Sequence, residues 1–127
     1  MRLTTLPGEL AICRLPATAA VPDWARGAFV SITHTVDELS IVCERAAIVE
    51  SDLPDGSLVE GGWWALKVAG PLDLDLTGIL ASLATPLAEA EISIFAISTY
   101  DTDYVLVRAE ELGRATAVVR GAGHEVV

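Results

Sequence analysis

Between residues 63 and 127 the hydrophobic pattern switches repeatedly between strand and helix periods, and that succession leaves few folds open. Trp63-Trp64-Ala65-Leu66-Lys67-Val68 alternates bulky residues with small or charged ones and stops at Gly70-Pro71, which reads as a strand ending in a turn. Leu76, Ile79, Leu80, Leu83 and Leu87 then recur at helical spacing. A helix is expected over about 76–90, with Asp73 or Asp75 as its cap and a kink or early break at Pro86. Ile92–Ser98 and Tyr104–Val107 are strand-like runs on either side of the polar, turn-prone Thr99-Tyr100-Asp101-Thr102-Asp103, so the pair reads as an antiparallel hairpin. Ala109 to Arg120 favours a second helix, ended by Gly121 and Gly123, and His124–Val127 can form a short last strand. The order β-α-β-β-α-β places the chain in the α+β class, as one four-stranded sheet with both helices on one face.

The first half reads as a reduced copy of this ferredoxin-like plan. Strands are expected over 9–15, 29–35 and 39–44, with at most a turn or two of helix near Pro22–Gly27. Pro54-Asp55-Gly56 and Gly61-Gly62 argue that the second helix is lost or shortened, and Gly61-Gly62 is read as a bend between two units, 1–61 and 62–127. A shift of 65 residues lays 29–42 over 94–107 without a gap; only Ile32/Ile97 and Val42/Val107 are identical, but apolar and polar positions mostly coincide. Beside the element order, this favours an ancestral duplication.

The charge balance narrows the function. Eight Lys and Arg face eighteen Asp and Glu, a net charge of −10, and each half carries an even share. Such an excess opposes binding to phosphate backbones and anionic lipid, so neither nucleic acid nor membrane is an expected partner. Hydrophobic residues make up 52%, ample for a core, yet charge or Pro interrupts every apolar run before membrane-spanning length. No apolar h-region precedes Glu9, so a cytoplasmic setting is expected. Cys13 and Cys43 lie in apolar stretches and read as reduced, half-buried hydrophobes; no CxxC or Cys/His cluster points to a metal, and no cofactor motif is present.

The stretch E-I-S-I-F-A-I-S-T-Y-D-T-D-Y-V-L-V at 91–107, preceded by P-L-A-E-A and followed by R-A-E-E-L, resembles the ACT subgroup that includes the CASTOR arginine sensors. The resemblance covers about 62–127, and 1–61 resembles a degenerate first ACT-like unit. It implies two ACT-type units packed side by side, with an amino-acid ligand at their seam. Carried over, the ligand-facing positions are Gly70 and Leu72 in the loop after the first strand, and Ser98, Thr99, Tyr100 and Asp103 at the hairpin. His34, which aligns with Thr99 in the repeat register, is the candidate from the first unit. The sequence departs from the subgroup at Glu91, where relatives often carry Gly. A homodimer is also implied.

The chemistry of these residues suits a zwitterion. Amides at a helix start can hold a carboxylate, Asp103 can pair with an ammonium, and Ser98 and Thr99 can complete the polar shell. Tyr100 can cover a cation. The plainer readings stand beside these: Asp101 and Asp103 as turn formers, His34 as an exposed strand end, and one of Trp63 and Trp64 as core. No GxSxG, HExxH or phosphate-cradling loop is present. The expected function is non-catalytic binding of a small molecule, with a ligand-free interaction or dimerisation module as the alternative. An enzyme would need His34, Cys43 or the Asp pair to converge in a cleft.

Overall fold

The computed structural model describes residues 1–127. It forms strands β1 (Arg2–Thr5), β2 (Leu10–Leu15), β3 (Val30–His34), β4 (Leu39–Glu44), β5 (Leu58–Val68), β6 (Phe95–Ser98), β7 (Asp103–Arg108) and β8 (Glu125–Val126), with helices α1 (Ile79–Glu89) and α2 (Leu112–Gly121). The chain divides into two compact units, Met1–Pro7 with Trp64–Val127, and Gly8–Trp63. The class is α+β, and the later unit keeps the ferredoxin-like order of elements.

In the later unit the sheet order is β6-β7-β5-β1-β8. β1 is the departure from expectation. It pairs antiparallel with β5 through Leu3↔Val68 and parallel with β8 through Leu3↔Val126, between two strands that the split βαβ plan would make neighbours. Residues 1–7 therefore pack with the later unit, although their position in sequence assigned them to 1–61. Leu3, Leu66, Val68, Val105 and Val107 from the sheet share one buried cluster with Leu83 and Leu87 of α1 and Ala115 and Val119 of α2. Both helices thus cover the same sheet face. Each fully buried leucine here contributes roughly 1.5–3 kcal/mol relative to exposure.

Helix α1 begins three residues later than its periodicity predicts. Leu76 is 52% exposed and outside the apolar stripe. Asp73 accepts the Asp75 amide at 2.9 Å in a local turn, and Gly78, at φ 76°, takes the N-cap position with no side-chain cap. The helix runs past Pro86 to Glu89, so the proline precedes the end by three residues and does not break it. Beyond it, Ile92 donates to Leu87 O at 2.9 Å and Glu91 to Ala88 O at 2.9 Å, with Glu91 at φ 59°. This is the Schellman closure. Ile92 is buried ahead of β6, which starts only at Phe95.

In the earlier unit β3, β4, β2 and the first part of β5 are neighbours in that order. Two 3₁₀ turns, Arg45–Ala47 and Glu50–Asp52, stand where a second helix would be. Gly61 and Gly62 form a bulge in β5, where the register steps from Leu10↔Trp63 to Ile12↔Glu60, just before the division between the units at Trp63/Trp64. Gly62 (φ 80°) donates to Glu9 Oε2 at 2.6 Å. Cys13 and Cys43 are fully buried free thiols with Leu15, Leu39, Ile41 and Trp24. The hydrogen bond to Cys43, together with burial, pushes the Cys13 thiol far above its ordinary range. Trp63 is 5% exposed and Trp64 half-buried.

Candidate functional site in the later unit

Two hydrogen bonds fasten the β6–β7 turn to the chain leaving β5. The Thr102 hydroxyl donates to Val68 O, and the Leu72 amide donates to Asp101 O at 2.6 Å. Thr102 is the one buried polar side chain, at 5% exposure. Its amide reaches Thr99 Oγ1 at 3.3 Å and its carbonyl accepts the Thr99 amide at 2.8 Å, closing the turn. Gly70 makes the close approach possible: a Cβ there would lie 2.8 Å from Asp101 O and 3.3 Å from Thr102 Cβ. Its part is steric.

These constraints leave a depression of about 330 Å³ between the hairpin end and the start of α1. Ser98, Thr99, Tyr100, Thr102 and Asp103 line one side, Gly78 to Ala81 the start of the helix, and Leu72, Leu74 and Leu76 much of the rest. Asp103 and Ser98 face each other across the register, and the Ser98 hydroxyl donates to Asp103 Oδ1 at 2.6 Å. Tyr100 is 77% exposed on the rim. The lining includes Asp73 and Asp103 and no Lys, Arg or His. With no side-chain cap, the first-turn amides of α1 give this end of the helix a partial positive charge.

Five sequence-predicted positions, Leu72, Ser98, Thr99, Tyr100 and Asp103, therefore meet at one depression. Gly70 lines an adjoining one of about 270 Å³ with Lys67, Pro71, Asp101 and Tyr104, where Lys67 Nζ stands 5.9 Å from the Tyr104 ring centroid. His34 belongs to the earlier unit. Its Nε2 lies 2.7 Å from Ala17 O, and it borders a shallow hollow with Ala17, Thr18, Thr35 and Val36. Thr102 and the α1 start were not singled out in the sequence. Thr102 is set apart from Thr99 by the reach of its hydroxyl to Val68 O, and the helix start needed the correct N-cap. No group of three or more His, Cys, Asp or Glu side chains is placed to hold a metal ion.

The later unit is a split βαβ domain whose first loop and hairpin turn are pinned together beside a helix start. The family model of the ACT domain matches residues 58–120, and a second model, of an N-terminal domain, matches residues 8–51. The chain belongs to the ACT domain family, and within it is of the CASTOR-like type. It is 31% identical over 100 residues to the cytosolic arginine sensor for mTORC1 subunit 1 of Bos taurus, covering 72% of this chain and 30% of the relative. It is 32% identical over 94 residues to CASTOR3P of Homo sapiens, covering 66% of this chain and 56% of that protein. The chain thus spans between 30% and 56% of the length of these relatives. Among solved structures, Atu0741 from Agobacterium tumefaciens superposes with a TM-score of 0.88 at 42% identity, covering 99% of this chain and 91% of that one. The regulatory subunit of aspartate kinase from Thermus thermophilus (TM-score 0.65, 13% identity, 94% and 95% covered) shares the fold.

Proposed function

We propose that this chain is a non-catalytic regulatory protein of the cytosol that binds a small molecule, an amino acid, in the depression between Ser98–Asp103 and the start of α1, and that it works as a symmetric pair. The observation that carries the reading is the pairing of opposite poles in that depression. The uncapped α1 start suits a carboxylate, and Asp103 with Asp73 suits an ammonium. Its volume of about 330 Å³ is at the small end of the range for ligand sites, about 300–1,000 Å³. A lining with two acids and no base favours a cationic amino acid over an acidic one. That preference agrees with the arginine-sensor name of the curated relatives. The earlier unit is read as a diverged copy of the later one. Ligand binding regulates by favouring one arrangement, since differential affinity is all a ligand can use to shift an equilibrium.

Calorimetric titration with the twenty amino acids tests this reading. Heat and a thermal shift are expected with a basic amino acid and none with aspartate or glutamate. Silence from all twenty at millimolar concentration sinks it. A second reading, a protein-docking module, rests on the exposed apolar rim of the same depression: Leu74 at 62%, Leu76 at 52% and Tyr100 at 77%. Silence in the titration would leave that reading standing.

A further inference from the structure

The chain contains a single lysine, Lys67, and strand alternation turns it away from the helices. Leu66 and Val68 on either side of it belong to the helix-covered core, as do Val105 and Val107 of β7. Lys67 and Tyr104 therefore share the opposite face of the sheet. There, both half-buried, they border the depression of about 270 Å³ with Gly70, Thr99, Asp101 and Thr102. The Lys67 ammonium stands 5.9 Å from the Tyr104 ring centroid, within reach of a cation–π contact. The hydroxyls of the turn are already committed. Thr102 donates to Val68 O, and Thr99 Oγ1 donates to Thr102 O at 3.2 Å while accepting the Thr102 amide at 3.3 Å. The charged groups are not. Lys67 and Asp101 border one hollow, yet neither forms an ion pair with the other or with a third group. In a chain of net charge −10, its one lysine is left without a carboxylate.

We propose that this second depression is a ligand site of its own, for a small net-neutral zwitterion whose carboxylate lies on Lys67 and whose ammonium lies on Asp101. The charge count of the lining selects the class. A simple anion drawn to Lys67 meets the Asp101 carboxylate, and a simple cation drawn to Asp101 meets the Lys67 ammonium, so a ligand with both charges matches the hollow best. The first depression differs in this respect, with two acids and no base. A volume of about 270 Å³ falls just below the roughly 300 Å³ at which sites for drug-sized ligands begin, which limits the occupant to a few heavy atoms. The two depressions are separable by residue. Lys67 and Asp101 line only this one and Asp103 only the other, while Thr99 and Thr102 form the wall between them. The inference is independent of the ligand assigned to the first depression.

Because Lys67 is the one lysine, the full chain labelled with carbon-13 lysine gives a single side-chain Cε resonance by which to test the site. Glycine, β-alanine and γ-aminobutyrate, whose charges lie progressively further apart, are the probes. At least one is expected to move that resonance saturably, and the best of the three distinguishes an α-amino acid from an ω-amino acid. Acetate and methylammonium, with one charge each, should bind about tenfold to a hundredfold more weakly. By calorimetry Lys67→Met and Asp101→Asn should each weaken the best probe by a similar factor with unchanged circular dichroism, and Asp103→Asn should leave it as it is. No saturable shift from any probe at tens of millimolar overturns the site. Acetate binding as well as the zwitterions, with no effect of Asp101→Asn, overturns the ligand class. A loss with Asp103→Asn as large as that with Lys67→Met places the probe in the first depression and overturns the second site. Each of these failures leaves the binding of a basic amino acid in the first depression to its own titration.

Discussion

The two helices of the later unit end in the same motif with different residues at the same point, which makes Glu91→Gly a measurement of backbone strain with an internal control. After α1, Ile92 N bonds Leu87 O and Glu91 N bonds Ala88 O; after α2, His124 N bonds Val119 O (3.2 Å) and Gly123 N bonds Arg120 O (3.0 Å). The left-handed position is Gly123 in one case (φ 98°) and Glu91 in the other (φ 59°). A non-glycine residue there costs roughly 1–2 kcal/mol, while glycine gives the unfolded chain extra freedom worth about 0.5–1 kcal/mol. Glu91 also acts electrostatically on Arg114, but that guanidinium is in water and the interaction is screened. The net expectation is a gain of about 0.5–1 kcal/mol, read as a rise in Tm of roughly 2–6 °C for a chain of this size. Gly123→Ala should move Tm the opposite way. Thermal or urea unfolding monitored by circular dichroism measures both. If Glu91→Gly leaves stability unchanged or lowers it while Gly123→Ala destabilises, then Glu91 bears no strain and the account of the α1 terminus is wrong.

Gly70→Ala puts a methyl 2.8 Å from a backbone oxygen, so the turn must move; a loss of about 1–3 kcal/mol is expected, with faster hydrogen exchange at the Leu72 amide. Unaltered exchange there would show that the loop and turn are not pinned through this contact. Thr102→Val keeps the shape but leaves the Val68 carbonyl without its donor, a cost of about 1–3 kcal/mol, and Thr102→Ser should restore most of it. The Cys13 and Cys43 thiols, 1% and 0% exposed, should resist an aromatic disulfide reagent in the folded protein and react fully in denaturant. Rapid reaction without denaturant would contradict their place in the core.

The parts of the fold that could be read from sequence are those set by local pattern. The hairpin around Thr99–Asp103 and the stripe Leu83 and Leu87 follow from period alone. β1 could not be read this way, because Arg2-Leu3-Thr4-Thr5 is short and polar and its partners lie at residues 66–68 and 125–126. Nothing nearby in sequence marks a strand whose pairing is entirely distant. Gly61-Gly62 was legible as an interruption of the strand, but that it takes the form of a bulge follows only from the register opposite Leu10 and Ile12. The hairpin side of the site was legible as a cluster of polar residues at one strand end. The helix side was not, since it depended on Asp73 and Asp75 yielding the cap to Gly78.

That helix side changes what Asp103 can be expected to do. In a split βαβ unit the chain leaves the first strand and enters its helix beside the turn of the hairpin, so the helix start supplies a positive pole whatever the side chains are. The side chains determine the second pole. On the function proposed above, Asp103, opposite Ser98 and on the depression's wall, is that pole. Asp103→Asn should therefore weaken a bound amino acid by about tenfold to a hundredfold, the worth of a hydrogen bond between charged groups. It should weaken the corresponding des-amino acid hardly at all, because that analogue keeps the carboxylate held by the helix and has no ammonium to lose. Comparing both ligands on both proteins by calorimetry separates the interaction from general damage to the site. Equal losses for the two would mean that Asp103 only shapes the turn, and that the ammonium is held elsewhere.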